Sequence, residues 1–153
     1  MNHTHQKKLN YNKITPRVYI GTNACCQTHF HEKLIKKGIN ADISMEYEQM
    51  DHPKGINFFI WLPTRDHTPP TKEQLKFGVE AIDSLLKLKK HIYLHCKNGH
   101  GRAPTMFAAY LIWKKNMSVK DAISFIKKKR PSIHLEKNQL KALENFRKQT
   151  NNS

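Results

Sequence analysis

The sequence has few cysteines and no long apolar run, and each absence excludes a class of protein. Its cysteines are Cys25, Cys26 and Cys96, an odd number without a spaced framework, which argues against a disulfide-rich secreted scaffold. No apolar stretch approaches the roughly 20 residues that cross a bilayer. The polar residues 1–8 lack the apolar core of a secretory signal. We therefore expect a soluble, intracellular protein located in the cytoplasm.

Acidic residues are also scarce: Asp and Glu total 12 against 27 Lys and Arg, which gives a formal net charge of +15. A positive field attracts phosphates, anionic lipid surfaces and nucleic acids without choosing among them. A solvated, lysine-rich surface explains the same count. The ten histidines are scattered, and adjacent Cys25 and Cys26 do not have metal-ligand spacing, so we expect no metal site.

The 153 residues are enough for one domain, and no repeat or linker divides them. Short apolar strands alternate with amphipathic helical patterns, which predicts an α/β fold with a central, mostly parallel twisted sheet flanked by helices. The polar ends are expected to fray, leaving about residues 13–148 ordered. Strands are predicted at residues 17–20, 41–45, 57–62 and 91–95. Helices are predicted at residues 30–37, after a capping box of Thr71 and Gln74, at residues 106–113, after a cap at Ser118, and near residues 140–146.

The most informative segment, residues 95–104, is entered by a strand and left by a helix. Such a loop can point successive backbone N–H groups at a phosphate, backed by the positive end of the helix. Gly99 and Gly101 permit the close backbone approach, and the planar fork of Arg102 can hold two phosphate oxygens. The helix end and Arg102 both favour the thiolate of Cys96, which is then placed to attack phosphorus and form a phosphocysteine. The alternative is an inert buried cysteine before an ordinary turn.

Residues 96–102 match the C-x5-R signature of the protein tyrosine and dual-specificity phosphatases, together with the preceding His95 and the interior Gly99. The chain resembles the small atypical members over most of its length, and especially the mitochondrial-type phosphatases that act on phosphatidylglycerophosphate. The stretches that carry the resemblance are residues 14–21, 46–48, 93–97, 105–112 and 130–133. The resemblance implies the compact α/β phosphatase fold, no metal or organic cofactor, and a phosphate-binding loop formed by Lys97, Asn98, Gly99, His100, Gly101 and Arg102.

The family resemblance implies a general acid, a carboxylic acid on a mobile loop that protonates the leaving group. Asp66 is the best candidate for this acid. It follows the strand at residues 57–62 and precedes Cys96 by 30 residues. The same side chain could simply cap the turn before the double proline. Asp42 and Asp51 are weaker candidates, because neither follows a strong strand.

One position departs from the family pattern. Ala103 stands where the family usually has Ser or Thr, whose hydroxyl stabilises the departing thiolate, and Thr105 is expected to face elsewhere on the helix. The departure predicts slow hydrolysis of the phosphocysteine and leaves open a phosphate-binding pseudophosphatase. Lys97 and His100 make the loop rim basic, as in lipid-directed members, unless both point into solvent.

The expected function is hydrolysis of phosphotyrosine, phosphoserine or phosphothreonine in proteins. The first alternative is a phospholipid phosphatase acting on a phosphatidylglycerophosphate-like or phosphoinositide headgroup, with peripheral contact to an anionic membrane. An RNA 5′-phosphatase has only the positive charge in its favour, so no specific nucleic acid is expected. A rhodanese-like sulfur transferase is disfavoured by the Asp66 loop. Cys25 and Cys26 are either packing residues or partners that protect an oxidised Cys96.

Overall fold

The computed structural model describes residues 8–151. Five strands form one sheet in the order β1-β2-β5-β3-β4, in which only the β1–β2 pairing is antiparallel. This confirms the predicted α/β class with a mostly parallel sheet. The strands are β1 (Tyr11–Thr15), β2 (Val18–Gly21), β3 (Ile39–Glu46), β4 (Phe58–Thr64) and β5 (His91–His95).

Five α-helices surround the sheet, and the most apolar of them packs against three of the others. These are α1 (Glu32–Lys36), α2 (Lys72–Lys87), α3 (Arg102–Lys115), α4 (Val119–Lys129) and α5 (Lys137–Asn151); a short 3₁₀ turn covers Asn23–Cys25. Helix α3 contacts α2, α4 and α5 and is buried from its first residue to Ile112. The capping box of Thr71 and Gln74 and the cap at Ser118 form as predicted, because each side chain satisfies a free N–H of the first turn.

The structure differs from the predicted elements at the two sheet edges. Strand β1 was not predicted, because its residues are polar; it forms as an edge strand whose Tyr11 ring packs on Tyr19 and Tyr93. Strand β4 continues through Pro63, which a central strand would not tolerate, because β4 pairs with β3 alone. Regular structure begins at Tyr11 and ends at Asn151, so it extends beyond the predicted range of residues 13–148 at both ends. Residues 1–7 and 152–153, which were also expected to fray, are outside the described residues.

The sheet topology places the loop after β5 at the carboxyl end of the central strand. Strand β5 lies between β2 and β3 and is parallel to both, so all three end at the same edge of the sheet. Ligands of open α/β sheets bind at this carboxyl edge. Within residues 8–151, no helix combines the length and the apolar character needed to span a membrane.

Candidate active site

The Cys96 side chain lies at the junction where β5 passes into the loop before α3, and it is 3% exposed. His95, directly before it, is completely buried, and its Nδ1 donates to the Cys96 carbonyl at 3.2 Å. Helix α3 begins at Arg102, so its free N–H groups and positive dipole end face the loop. The thiol is therefore held at the floor of a cradle suited to an anion.

The loop can adopt its path only because residue 99 is glycine. Gly99 has φ +71°, and a Cβ there would lie 2.6 Å from the carbonyl oxygen of Gly21. The buried Arg130 holds the loop from below, with Nε 2.9 Å from the Gly99 oxygen and Nη2 2.9 Å from the Asn98 oxygen. Its Nη1 reaches the side chains of Asn10 and Asn12. Arg130 thus ties the loop to the first strand, a role that sequence reasoning missed.

Arg102 is 2% exposed and has two functionally different sides. Its Nη1 donates to the Glu48 carboxylate at 2.9 and 3.0 Å and to the Thr64 carbonyl at 2.7 Å. Its Nη2 lies 3.5 Å from Asp66, and its buried Nε has no hydrogen-bond partner among residues 8–151. The Nη1 contacts orient the guanidinium, while Nε keeps a donor that no described residue uses.

Asp66 lies on the loop that follows β4, and its side chain is 47% exposed. Its Oδ1 accepts a hydrogen bond from the His67 backbone at 3.0 Å. The loop is fastened to the start of α5, because Asn138 donates to the His67 carbonyl and the buried Gln139 to the Thr68 carbonyl. The carboxyl group is thus accessible, while the backbone that carries it is anchored.

A pocket of about 160 Å³ brings the predicted residues together. Gly99 is the exception, because it lies beneath the loop against Gly21 and Arg130. The lining also includes residues that the sequence did not suggest, His67, His134, Glu136 and Gln139. The predicted residues that line it are Asp66, Cys96, Lys97, Asn98, His100, Gly101 and Arg102.

Ala103 is completely buried at the start of α3. Thr105 does not supply the missing hydroxyl near Cys96, because its Oγ1 donates to the Gly101 carbonyl at 2.7 Å. The structure thus places no Ser or Thr hydroxyl at the position that follows the loop arginine.

Behind the loop, His95 contacts two carboxylates that the sequence analysis considered only as weak acid candidates. Its Nε2 lies 2.8 Å from Asp51 Oδ2 and 3.1 Å from Asp42 Oδ1. Burial disfavours the imidazolium, but the two carboxylates outweigh it and raise the pKa of His95 well above its usual value. Burial also raises the pKa of Asp42, against the attraction of His95. These two aspartates therefore belong to a cluster beneath the loop and do not line its pocket.

The arrangement of thiol, loop and helix start is the one that cysteine-dependent phosphatases share, and the chain is of that class. Residues 18–149 match the family model described as "Dual specificity phosphatase, catalytic domain". The chain therefore belongs to the dual-specificity phosphatase family, as the C-x5-R signature predicted.

Among curated proteins, the chain is 40% identical over 80 residues to the human "Phosphatidylglycerophosphatase and protein-tyrosine phosphatase 1", covering 52% of this chain and 40% of the relative. It is 36% identical over 86 residues to the Arabidopsis thaliana "Phosphatidylglycerophosphate phosphatase PTPMT2", covering 56% of this chain and 38% of the relative. The chain spans about two fifths of the length of these relatives.

Two solved structures illustrate the similarity in three dimensions. The crystal structure of PTPMT1 superimposes with a TM-score of 0.79 and 29% identity, covering 94% of this chain and 97% of that one. The structure of human DUSP28 gives a TM-score of 0.83 at 16% identity, covering 92% and 98% of the two chains, and therefore supports the fold alone.

Proposed function

We propose that the chain hydrolyses phosphomonoesters through a phosphocysteine on Cys96. The observation that carries the proposal is that the Cys96 thiol, the Arg102 guanidinium and the Asp66 carboxyl line one small pocket. In the first step Sγ attacks phosphorus, the ester bond breaks, and the leaving oxygen takes a proton from Asp66. In the second step water gives a proton to Asp66, attacks the phosphocysteine and releases inorganic phosphate with the thiolate.

Phosphate binding is assigned to the loop of residues 97–101 and to Arg102. The Nε and Nη2 of Arg102 form one edge of a planar fork, which suits two phosphate oxygens. Glu48 holds Nη1 on the opposite side, so the fork is oriented before substrate arrives. The start of α3 adds backbone dipoles to the charge of the guanidinium, and phosphoryl transfer needs mainly such positioning and charge stabilisation.

The favoured substrate class is a phospholipid with a phosphomonoester headgroup. Two cations, Lys97 and Arg102, and three histidines line the pocket together with two acids, Asp66 and Glu136, and the chain carries a net charge of +15. Relatives are named as phosphatidylglycerophosphate phosphatases, and a similar structure, 26% identical, is of PTPMT1 "in complex with PI(5)P". A basic surface would also assist peripheral contact with an anionic membrane.

Phosphorylated proteins are the second candidate substrate. The human relative's name includes protein-tyrosine phosphatase activity, and a dual specificity protein phosphatase is 25% identical over 122 residues. A phosphotyrosine ring would have to enter a pocket of about 160 Å³ to bring its phosphate to the buried thiol. The predicted cytoplasmic location stays a prediction, which cell fractionation would test.

The test is release of inorganic phosphate by the wild type and by Cys96→Ser. The substrates are an aryl phosphate, phosphotyrosine and phosphothreonine peptides, and phosphatidylglycerophosphate in micelles. We expect wild-type activity that is lost in the variant, with the lipid hydrolysed at the highest kcat/KM. Higher kcat/KM on a peptide would assign a protein substrate. No release from any substrate, with intact binding of inorganic phosphate, would identify a pseudophosphatase and overturn the proposal.

A further inference from the structure

A second cluster of reactive side chains lies beneath the catalytic loop. The cluster consists of the adjacent Cys25 and Cys26 together with Asp42, Asp51 and His95, which come from three other parts of the chain. One donor atom from each residue lies within 4.8 Å of all the others. All five residues are buried. The proposed phosphatase chemistry uses neither the two cysteines nor the two aspartates of this cluster, so the cluster requires its own explanation.

Asp42 is the residue that points to a missing partner. It is completely buried, and neither carboxylate oxygen has a hydrogen-bond partner among the described residues. Its Oδ1 is 3.1 Å from His95 Nε2, but that nitrogen is already hydrogen-bonded to Asp51 at 2.8 Å. A buried carboxylate is costly unless its charge is balanced, and either of two species balances it here: a proton on His95, whose pKa is raised in the metal-free cluster, or a bound metal cation.

The orientation of His95 also favours a cation. Its Nδ1 donates to the Cys96 carbonyl, which directs Nε2 into the cluster, 3.7 Å from Cys26 Sγ. Histidines that bind metals almost always donate their second ring N–H to a carbonyl or carboxylate, as His95 does here. Nε2, one sulfur and two carboxylates thus converge on one point.

We propose that the reduced protein binds one Zn²⁺ through Cys26 Sγ, His95 Nε2 and one oxygen each from Asp42 and Asp51. Sulfur and imidazole together suit zinc better than magnesium or calcium. Tetrahedral zinc places its ligand atoms about 3.3–3.8 Å apart. The distance from Nε2 to Cys26 Sγ, 3.7 Å, lies in that range. The distances to Asp51 and Asp42, 2.8 and 3.1 Å, are shorter, so both carboxylates would move back by a few tenths of an ångström to admit the ion. Two carboxylates, one thiolate and Zn²⁺ leave a net charge of −1, whereas adding Cys25 as a second thiolate would leave −2 in a buried site.

The thiol state determines whether the site can form. In the structure Cys25 and Cys26 are joined by a disulfide. A phosphine reductant and water convert it to two thiols, with the phosphine becoming its oxide, and zinc then displaces the proton of Cys26. The bound ion would connect the turn after β2, the strand β3 and the end of β5, directly below Cys96. Four protein ligands leave no open position on the ion, which is the coordination of a structural site and not of a catalytic one.

The experiment is equilibrium dialysis of the phosphine-reduced protein against Zn²⁺, followed by metal analysis, with a parallel Co²⁺ titration monitored by sulfur-to-cobalt charge-transfer absorption. We expect one equivalent of zinc in the wild type and a charge-transfer band with cobalt. Asp42→Asn and Cys26→Ser should lose the equivalent. Asp83→Asn, a buried acid outside the cluster, should retain it. Cys25→Ser keeps all four proposed ligands, cannot form the disulfide, and should bind zinc without reductant.

Absence of bound zinc in the folded, reduced wild type would overturn the proposal and show that a proton satisfies the two aspartates. Zinc binding that survives in Cys26→Ser, or cobalt binding without the charge-transfer band, would overturn the ligand set. The wild-type measurement does not depend on any variant folding. Because the readout is metal content and absorption, failure of this proposal leaves the proposed phosphatase activity unaffected.

Discussion

Replacing Gly99 by alanine separates backbone strain from steric crowding in the catalytic loop, because the chain offers a matched control. Gly99 and Gly38 both have positive φ, +71° and +86°. A Cβ at Gly99 would lie 2.6 Å from the Gly21 oxygen, 2.8 Å from the Gly21 carbonyl carbon and 2.9 Å from Arg130 Nη2. A Cβ at Gly38 would meet nothing within 4 Å.

The two substitutions should therefore differ in the free energy of unfolding. The left-handed conformation costs a residue with a Cβ about 1–2 kcal/mol, which applies to both variants. Crowding in a packed interior adds about 1–3 kcal/mol, which applies to Gly99 alone, because two of the three close atoms are backbone and cannot rotate away. We expect a loss of about 2–5 kcal/mol for Gly99→Ala and about 1–2 kcal/mol for Gly38→Ala.

Urea unfolding of the wild type and both variants measures the difference, with equal m-values required for comparison. Phosphate binding provides a second readout, because displacement of the Gly99 carbonyl also disturbs its bond from Arg130. Gly99→Ala should weaken inorganic phosphate binding, and Gly38→Ala should leave it unchanged. Equal losses of stability in the two variants, with equal phosphate affinity, would refute the crowding argument.

Three further substitutions test the site and the ion pairs that the buried Asp83 makes with Lys87 and Lys114. Asp66→Asn should lower kcat for an alkyl phosphate by about 10²–10⁴-fold, and by less for a nitrophenyl phosphate, whose leaving group needs no proton. Ala103→Ser should speed phosphocysteine hydrolysis by about tenfold, the effect of one hydrogen bond of about 1.4 kcal/mol, and reduce the burst in rapid-mixing assays. Asp83→Asn should cost about 0.5–1 kcal/mol near pH 7, because the hydrogen bond from Lys87, aided by Lys114, lowers the pKa of Asp83. For a lowered acid pKa the stabilisation is fully present above the unfolded value of 3.8 and is lost as the pH falls from there through the lower folded value, so urea unfolding should show the difference shrink over that range.

Each of these has a clear contrary result. Equal losses on alkyl and nitrophenyl phosphates would remove Asp66 from the role of acid. An unchanged burst and second step in Ala103→Ser would show that the missing hydroxyl does not limit turnover. A stability difference for Asp83→Asn that stays constant as the pH falls from 7 through 3.8 and below the lowered pKa of the folded protein would mean that packing, and not the ion pair, accounts for it.

Much of the fold was predictable because its signals are local. The capping box at Thr71, the cap at Ser118 and the apolar run of α3 all depend on neighbours within one helix. The two edge strands of the sheet could not be predicted from such local signals. Strand β1 is ordered by packing of Tyr11 on distant rings, and Pro63 is tolerated because β4 has a neighbour on one side only.

The residues of the candidate site also fall into those that local sequence predicts and those that only tertiary contacts bring to the site. Cys96, Gly99, Gly101 and Arg102 fall within one short segment, so their spacing alone predicted a phosphate loop. Asp66 was selected by its position after a strand, and the structure places it in the same pocket. The supporting residues gave no such signal. They are Glu48, which orients Arg102; Arg130, which holds the loop; and Gln139, which anchors the Asp66 loop.

The family, the alternation of strands and helices, and the segment that carries the thiol could all be predicted from the amino-acid order, because each depends on residues close together in the chain. The surroundings of that segment depend on how the chain folds in three dimensions. The tertiary structure held the Arg102 guanidinium between Glu48 and Asp66 and buried Arg130 beneath the loop. It also brought Cys26, Asp42 and Asp51 to His95 across separations that no spacing rule covers. Strand order and burial set these contacts, and both result from packing the whole chain.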